Sequence, residues 1–201
     1  MDIFMLAMFV AVAVHMFKSK YQRGRIALLG SQLGKYQLEK LMGSLTDGYL
    51  RALGEADPVR REQVWNLQAS TEESLCDQLN RFVADFSRLD EVQTRVSKLP
   101  LALPFADKLF PTATFDLRKA LAIHAQGITR AAKNTDQRSP RDKAYTLSAE
   151  LFLLQHTCHW FCKSKTVASA RMLGREKTSY EQVLASVAPE TRRAYNSLIG
   201  A

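Results

Sequence analysis

The chain has 201 residues, 46% of them hydrophobic and 24% charged, with a formal net charge of +8. That apolar share excludes wholesale disorder, and nine Gly and six Pro are too few for a turn-rich all-β protein. Charge is uneven, +5 over residues 18–61, −3 over 62–100 and +7 over 101–201, so two basic regions flank an acidic one and suit an anionic partner.

Residues 3–17, IFMLAMFVAVAVHMF, carry no Asp, Glu, Lys or Arg. As a helix they span roughly 22 Å, and extension to residues 1–21, with Lys18 and Lys20 snorkelling, brings the length to roughly 30 Å, the thickness of a bilayer core. Lys18, Lys20, Arg23 and Arg25 follow this run and no basic side chain precedes it. A cleaved leader wants a basic start, and here the early charge is Asp2. The reading is a single-pass membrane anchor at 1–21, N-terminus outside and the remainder cytoplasmic by the positive-inside rule. A juxtamembrane helical segment at 22–56 and a helical bundle domain at 57–201 are expected to follow.

Ile26, Leu29, Leu33, Tyr36, Leu41, Leu45 and Tyr49 recur at helical spacing, interrupted by Gly30, Gly34, Gly43 and Gly48. Gly30 and Gly34 form a small-xxx-small pair that admits a close helix. Asp57-Pro58 is a cap followed by Pro at the first helical position. Ser70 and Glu73 read as a capping box opening a long helix. Its seam is Leu75, Leu79, Phe82, Phe86 and Leu89, continued through Val92, Val96 and Leu99 to Pro100. The apolar linker at 99–111 carries three prolines and is expected to pack across the bundle. Thr114 is expected to cap the next helix, with its stripe at Leu117, Leu121, His124 and Ile128.

Residues 134–142 are the most polar stretch and read as a loop. Ser139-Pro140 then opens a helix with two apolar rows, Ala144, Leu147, Leu151, Leu154, Cys158, Phe161 and Tyr145, Phe152, His159, the expected central helix. Ser179 to Gln182 repeats the capping-box pattern, and Ala188-Pro189 separates two short C-terminal helices. No strand alternation is visible, and the expected fold class is all-α, a transmembrane helix followed by a bundle of about five to seven helices.

The densest cluster of reactive side chains is His156, Cys158, His159 and Cys162. Zinc favours these residue types, but Cys158 and Cys162 fall in the leucine stripe and His156 about 140° from Leu151 on a helical wheel. Cys as a small core hydrophobe explains the pair. His124, between Leu121 and Ile128, reads as a core histidine. The sequence contains no Cys-x-x-Cys, His-Glu-x-x-His, Walker A or Gly-x-Ser-x-Gly pattern. Glu150 and Asp116 are acids without an evident partner. No catalytic constellation and no cofactor are expected.

Lys163, Lys165, Arg171 and Arg175 form a basic run suited to an anionic leaflet. The expectation is a membrane-anchored, non-catalytic interaction or scaffold protein with an unidentified protein partner and anionic-lipid contact. The alternatives are a metal- or haem-binding protein or enzyme built on the turn at 156–162, and a membrane-tethered nucleic-acid-binding module. The last lacks a reading element.

Overall fold

A computed structural model describes residues 3–100 and 105–200. Over these described residues the fold is all-α apart from one short β-ladder: a long apolar N-terminal helix, then a bundle containing seven helices of seven residues or more.

Helix α1 (Ile3–Leu33) runs unbroken for 31 residues. Residues 3–17 are all exposed, whereas Gln22 and Leu29 are buried in the bundle. The helix is therefore two segments on one axis, one uncovered and one built in. A turn at 34–37 leads to α2 (Leu38–Gly54), which packs antiparallel on α3 (Pro58–Phe86): Gln37 N donates to Gln78 near one end, and Tyr49 donates to Glu72 towards the other. Leu38, Met42, Leu45 and Tyr49 of α2 share one core with Leu75, Leu79, Phe82 and Phe86 of α3.

Asp57 caps α3 by accepting from Val59 N, and Pro58 occupies its first turn. The capping box expected at Ser70 does not open the helix. Ser70 lies mid-helix with its hydroxyl turned back to Leu67 O, because the Asp57-Pro58 signal upstream already starts it. The seam also stops early. It is buried through Phe86, after which Asp90 accepts from Val92 N and starts a single-turn helix, α4 (Glu91–Thr94), leaving Val92 exposed.

The expectation of no strands is likewise corrected. β1 (Arg95–Ser97) pairs antiparallel with β2 (Thr114–Asp116), Arg95 opposite Asp116 and Ser97 opposite Thr114. Three residues per strand are too few to show an alternation, and burial of Val96 and Phe115 against Trp160 holds the pair in place. Between the strands lies α5 (Ala106–Leu109), one turn long.

Thr114, expected to cap the following helix, sits in β2, and Asp116 caps α6 (Leu117–Lys133) by accepting from Arg118 N. Helix α7 (Pro140–Cys162) occupies the centre, capped by Ser139 as its sequence predicts. Burial reaches it on several faces, from α1, α6, α8 (Lys165–Glu176) and α9 (Tyr180–Ser186). Ser179 and Gln182 close the predicted capping box, and α10 (Pro189–Ile199) completes the bundle against α6.

Candidate functional site

Three places gather the functional candidates: the junction of α1 with the bundle, a groove beside α7, and a buried polar seam.

At the junction, Arg25 ties α1 to two other elements. Its guanidinium donates to Phe161 O at 3.1 Å, to Arg95 O at 2.6 Å and to the Tyr21 hydroxyl, and it lies over the Tyr21 and Phe161 rings at 4.6 and 4.8 Å. A guanidinium suits such a node, since its donors lie in a planar fork and its faces stack on aromatic rings. Arg95 is the first residue of β1, so the same side chain fixes the base of the hairpin formed by β1 and β2. Trp160 Nε1 donates to Ser97 O at 2.9 Å and Lys98 N donates to Ala113 O at 2.9 Å, closing that base.

From this base the connection extends towards the start of α1. Phe105 packs its ring 5.6 Å from that of Tyr21, and Lys108 Nζ lies 5.6 Å over the Phe105 ring. Phe105, Leu109 and Phe110 are 42%, 67% and 48% exposed. Of the linker expected to pack across the bundle, Leu99 is half-buried and Pro100 O accepts from Thr166 of α8 at 2.8 Å, whereas Phe105, Leu109 and Phe110 face outward; residues 101–104 lie outside the described residues.

The predicted basic run divides among different surroundings. Lys163 is exposed and donates to Gln22 Oε1 at 3.2 Å, just past the apolar run of α1. Lys165 is half-buried, its ammonium 5.3 Å from the Trp160 ring and 4.9 Å from the Tyr180 ring. Arg171 and Arg175 are exposed beside a groove, and Arg175 pairs with Glu176 at 3.2 Å.

That groove, about 730 Å³, lies between α1 and α2 on one side and α7 and α8 on the other. Leu29, Leu33, Met42, Phe82, Phe152 and Met172 supply apolar lining, with Glu39, Asp47, Arg171 and Arg175 among its charged residues. Gly30 and Gly43 line it too, and a Cβ on either would meet open space. The small-xxx-small pair therefore receives no close helix at Gly30.

Cys158, His159 and Cys162 also border the groove. Burial pushes the Cys158 thiol up to about 12 and the Cys162 thiol up to about 11, against an ordinary 9.0, so both stay protonated at neutral pH. Thiols held in that form are poor nucleophiles and poor zinc ligands. His156 also lines the groove, but its ring is engaged on the other elements: its Nε2 lies 3.0 Å from Ser169 Oγ and it stacks on Tyr180 at 4.5 Å. Among the described residues, no three His, Cys, Asp or Glu side chains converge as a metal-binding group. The four predicted ligands are not brought together.

The buried seam joins His124, which the sequence placed in the core, to residues it did not. The Thr157 hydroxyl donates to Leu153 O at 3.0 Å. Its single proton is thereby committed, so the Tyr195 hydroxyl at 3.0 Å and His124 Nε2 at 2.9 Å donate to it. His124 is completely buried, and desolvation lowers it to about 3 from an ordinary 6.5. Burial lowers His156 likewise, to about 4. Glu150, also completely buried, accepts from Ala188 N at 3.0 Å, and burial raises it to about 7. Its carboxyl group fits because residue 127 is glycine, where a Cβ would come within 2.5 Å of Oε2. Asp116 finds its partner in Arg118 at 2.7 Å. Each acid that lacked a partner in the sequence thus has a structural one.

No protein-family model matches the chain, nor does any curated protein or solved structure.

Proposed function

We propose that the protein is a membrane-anchored, non-catalytic interaction protein whose basic helical domain stands on the cytoplasmic face of the bilayer. One observation carries this reading: within a single helix, residues 3–17 are uncovered by the rest of the chain while Gln22, Arg25 and Leu29 are locked into the bundle. Ten large apolar side chains among residues 3–16, from Ile3 to Met16, together with Phe17, are 43–87% exposed. A water-soluble protein rarely leaves so extended an apolar surface uncovered, whereas a lipid core satisfies it.

Lys18, Lys20 and Arg23 beyond the run, with Asp2 before it, orient the domain towards the cytoplasm. The places of the reactive groups support the non-catalytic reading. Both groove cysteines are held as thiols, and His124, His156 and Glu150 are buried in structural hydrogen bonds. The partner class that fits is a protein recruited to the membrane surface beside an anionic leaflet.

Full-length protein is expected to remain with membranes through an alkaline carbonate wash, and protease added to sealed inverted vesicles should digest the domain. A chain starting at Lys18 should be soluble with its helical circular dichroism intact. Unfolding of that shortened chain would make residues 3–17 a core element and overturn the reading.

A further inference from the structure

The hairpin connection between β1 and β2 has an unusual distribution of side chains. Its base is fixed to α1 at Arg25 through Arg95 O, and its described far portion touches α1 at Tyr21 through Phe105. Those contacts are four residues apart on one helix, so the connection advances about 6 Å along α1 towards the apolar run. Tyr21 itself stands only four residues beyond Phe17, where that run ends. Phe105 is therefore carried to within about one turn of the uncovered part of α1, and Leu109 and Phe110 are exposed on the same short segment.

The charges at this level are mostly of one sign. Lys20, Arg23, Lys108 and Lys163 are exposed and Lys18 is half-exposed, with Asp107 the acid within the segment. Lys108 holds its ammonium 5.6 Å over the Phe105 ring, so a positive charge sits directly beside the exposed aromatic. Aromatic side chains beside lysines, next to the end of an apolar helix, have the chemistry of a membrane–water interface.

We propose that residues 105–110 form a second membrane contact, in which Phe105, Leu109 and Phe110 enter the headgroup region of the bilayer that α1 crosses. This rests on the reading of α1 as the anchor. The occupant of the exposed patch is the lipid surface: the patch meets α1 at Tyr21, four residues from the uncovered run, and the basic side chains around it complement anionic headgroups. The segment neither spans nor anchors; it seats the domain against the leaflet and adds a second point of contact.

The test uses the full chain reconstituted in phosphatidylcholine–phosphatidylserine vesicles. A nitroxide is attached in turn at Val10→Cys, Leu109→Cys and Lys35→Cys, and its accessibility to oxygen and to a water-soluble nickel complex is read by electron paramagnetic resonance. Cys76, Cys158 and Cys162 are half-buried, with thiols raised above their ordinary value, so the parent chain supplies the labelling blank. All substituted positions are exposed, and melting curves confirm the fold. The expected result is lipid-like accessibility at Val10, an oxygen-to-nickel ratio at Leu109 several-fold above that at Lys35, and water-like values at Lys35. A lipid-like Val10 with a water-like Leu109 overturns this inference and leaves the anchor standing. A Leu109 label shielded from both reagents means the patch is covered by protein, which also overturns it. A water-like Val10 removes the anchor reading itself.

Discussion

The buried carboxyl of Glu150 and the buried imidazoles of His124 and His156 make stability depend on pH from opposite sides. Glu150 is raised from an ordinary 4.5 to about 7, so its folded form holds a proton that the unfolded chain releases. Its contribution is complete below pH 4.5 and is lost as pH climbs through 7. His124 and His156 are lowered from 6.5 to about 3 and about 4, so folding excludes protons that the unfolded chain binds. Their contribution is complete above pH 6.5 and is lost as pH falls towards 4 and below. Between 4.5 and 6.5 two imidazoles act against one carboxyl, so stability from these groups still rises with pH and levels off near 6.5, where the carboxyl's loss and the imidazoles' completion nearly cancel. The urea midpoint should fall along an acid limb below about pH 6.5 and change little above it. At about 1.4 kcal/mol per pK unit and group, that limb amounts to several kcal/mol by pH 4. Glu150→Gln keeps an acceptor for Ala188 N and removes the opposing carboxyl, so it should steepen the rise in stability between pH 4.5 and 6.5. A midpoint unchanged across this range in the parent chain would show that these groups titrate alike in both states.

Helix α3 shows which signals the sequence carried and which it lacked. Burial of Leu75, Leu79, Phe82 and Phe86 follows the four-three spacing, because a stripe facing one partner must repeat near the helical period. Phe82→Ala or Phe86→Ala should therefore cost about 3–5 kcal/mol, whereas Arg88→Ala, at a side chain 79% exposed, should stay within about 0.5 kcal/mol in chemical denaturation. Beyond Phe86 the same spacing misleads. Leu89, Val92 and Val96 keep heptad-like intervals, yet Asp90 caps a new turn and Val96 is buried in a strand. Periodicity cannot distinguish a continued helix from a helix, turn and strand in which each apolar residue faces inward for a different reason. The caps at Asp57, Ser139 and Ser179 were legible because each pairs a side-chain acceptor with a following Pro or Gln at fixed spacing. Arg25 was not: it read as one charge in a flanking cluster, and its role depends on Arg95 and Phe161, distant in sequence. The same holds for Phe105, whose neighbour Tyr21 is set by the pairing of two three-residue strands. His124 was recognisable as a core position and Glu150 only as an acid without a partner, because their partners lie on α7 and at the start of α10.

For the whole molecule, the basic flank of α1 and the lysines near it predict electrostatic attraction that survives loss of the span. A chain starting at Lys18 should bind anionic vesicles at low salt and release them as the Debye length shrinks from about 10 Å at 0.1 M to about 3 Å at 1 M. Replacing Lys18, Lys20, Lys108 and Lys163 by Gln should remove most of that binding in a sedimentation assay, at on the order of 1 kcal/mol per cation near the surface. Unchanged binding by the quadruple variant would move the contact to another face, and tight binding to oligonucleotides that those changes abolish would favour the nucleic-acid reading. The unbroken course of α1 has a mechanical consequence as well. A stem without a hinge turns residue count into height, about 1.5 Å of elevation for each residue between the bilayer and the bundle. Four alanines inserted after Phe17 should raise the bundle by about 6 Å and turn it by about 40°, lifting residues 105–110 away from the leaflet while the span stays embedded. A nitroxide at position 109 would then pass from lipid to water with carbonate resistance unchanged. The spacing between Phe17 and Arg25 is thus a ruler, and the altitude at which this domain meets its partners is written in its length.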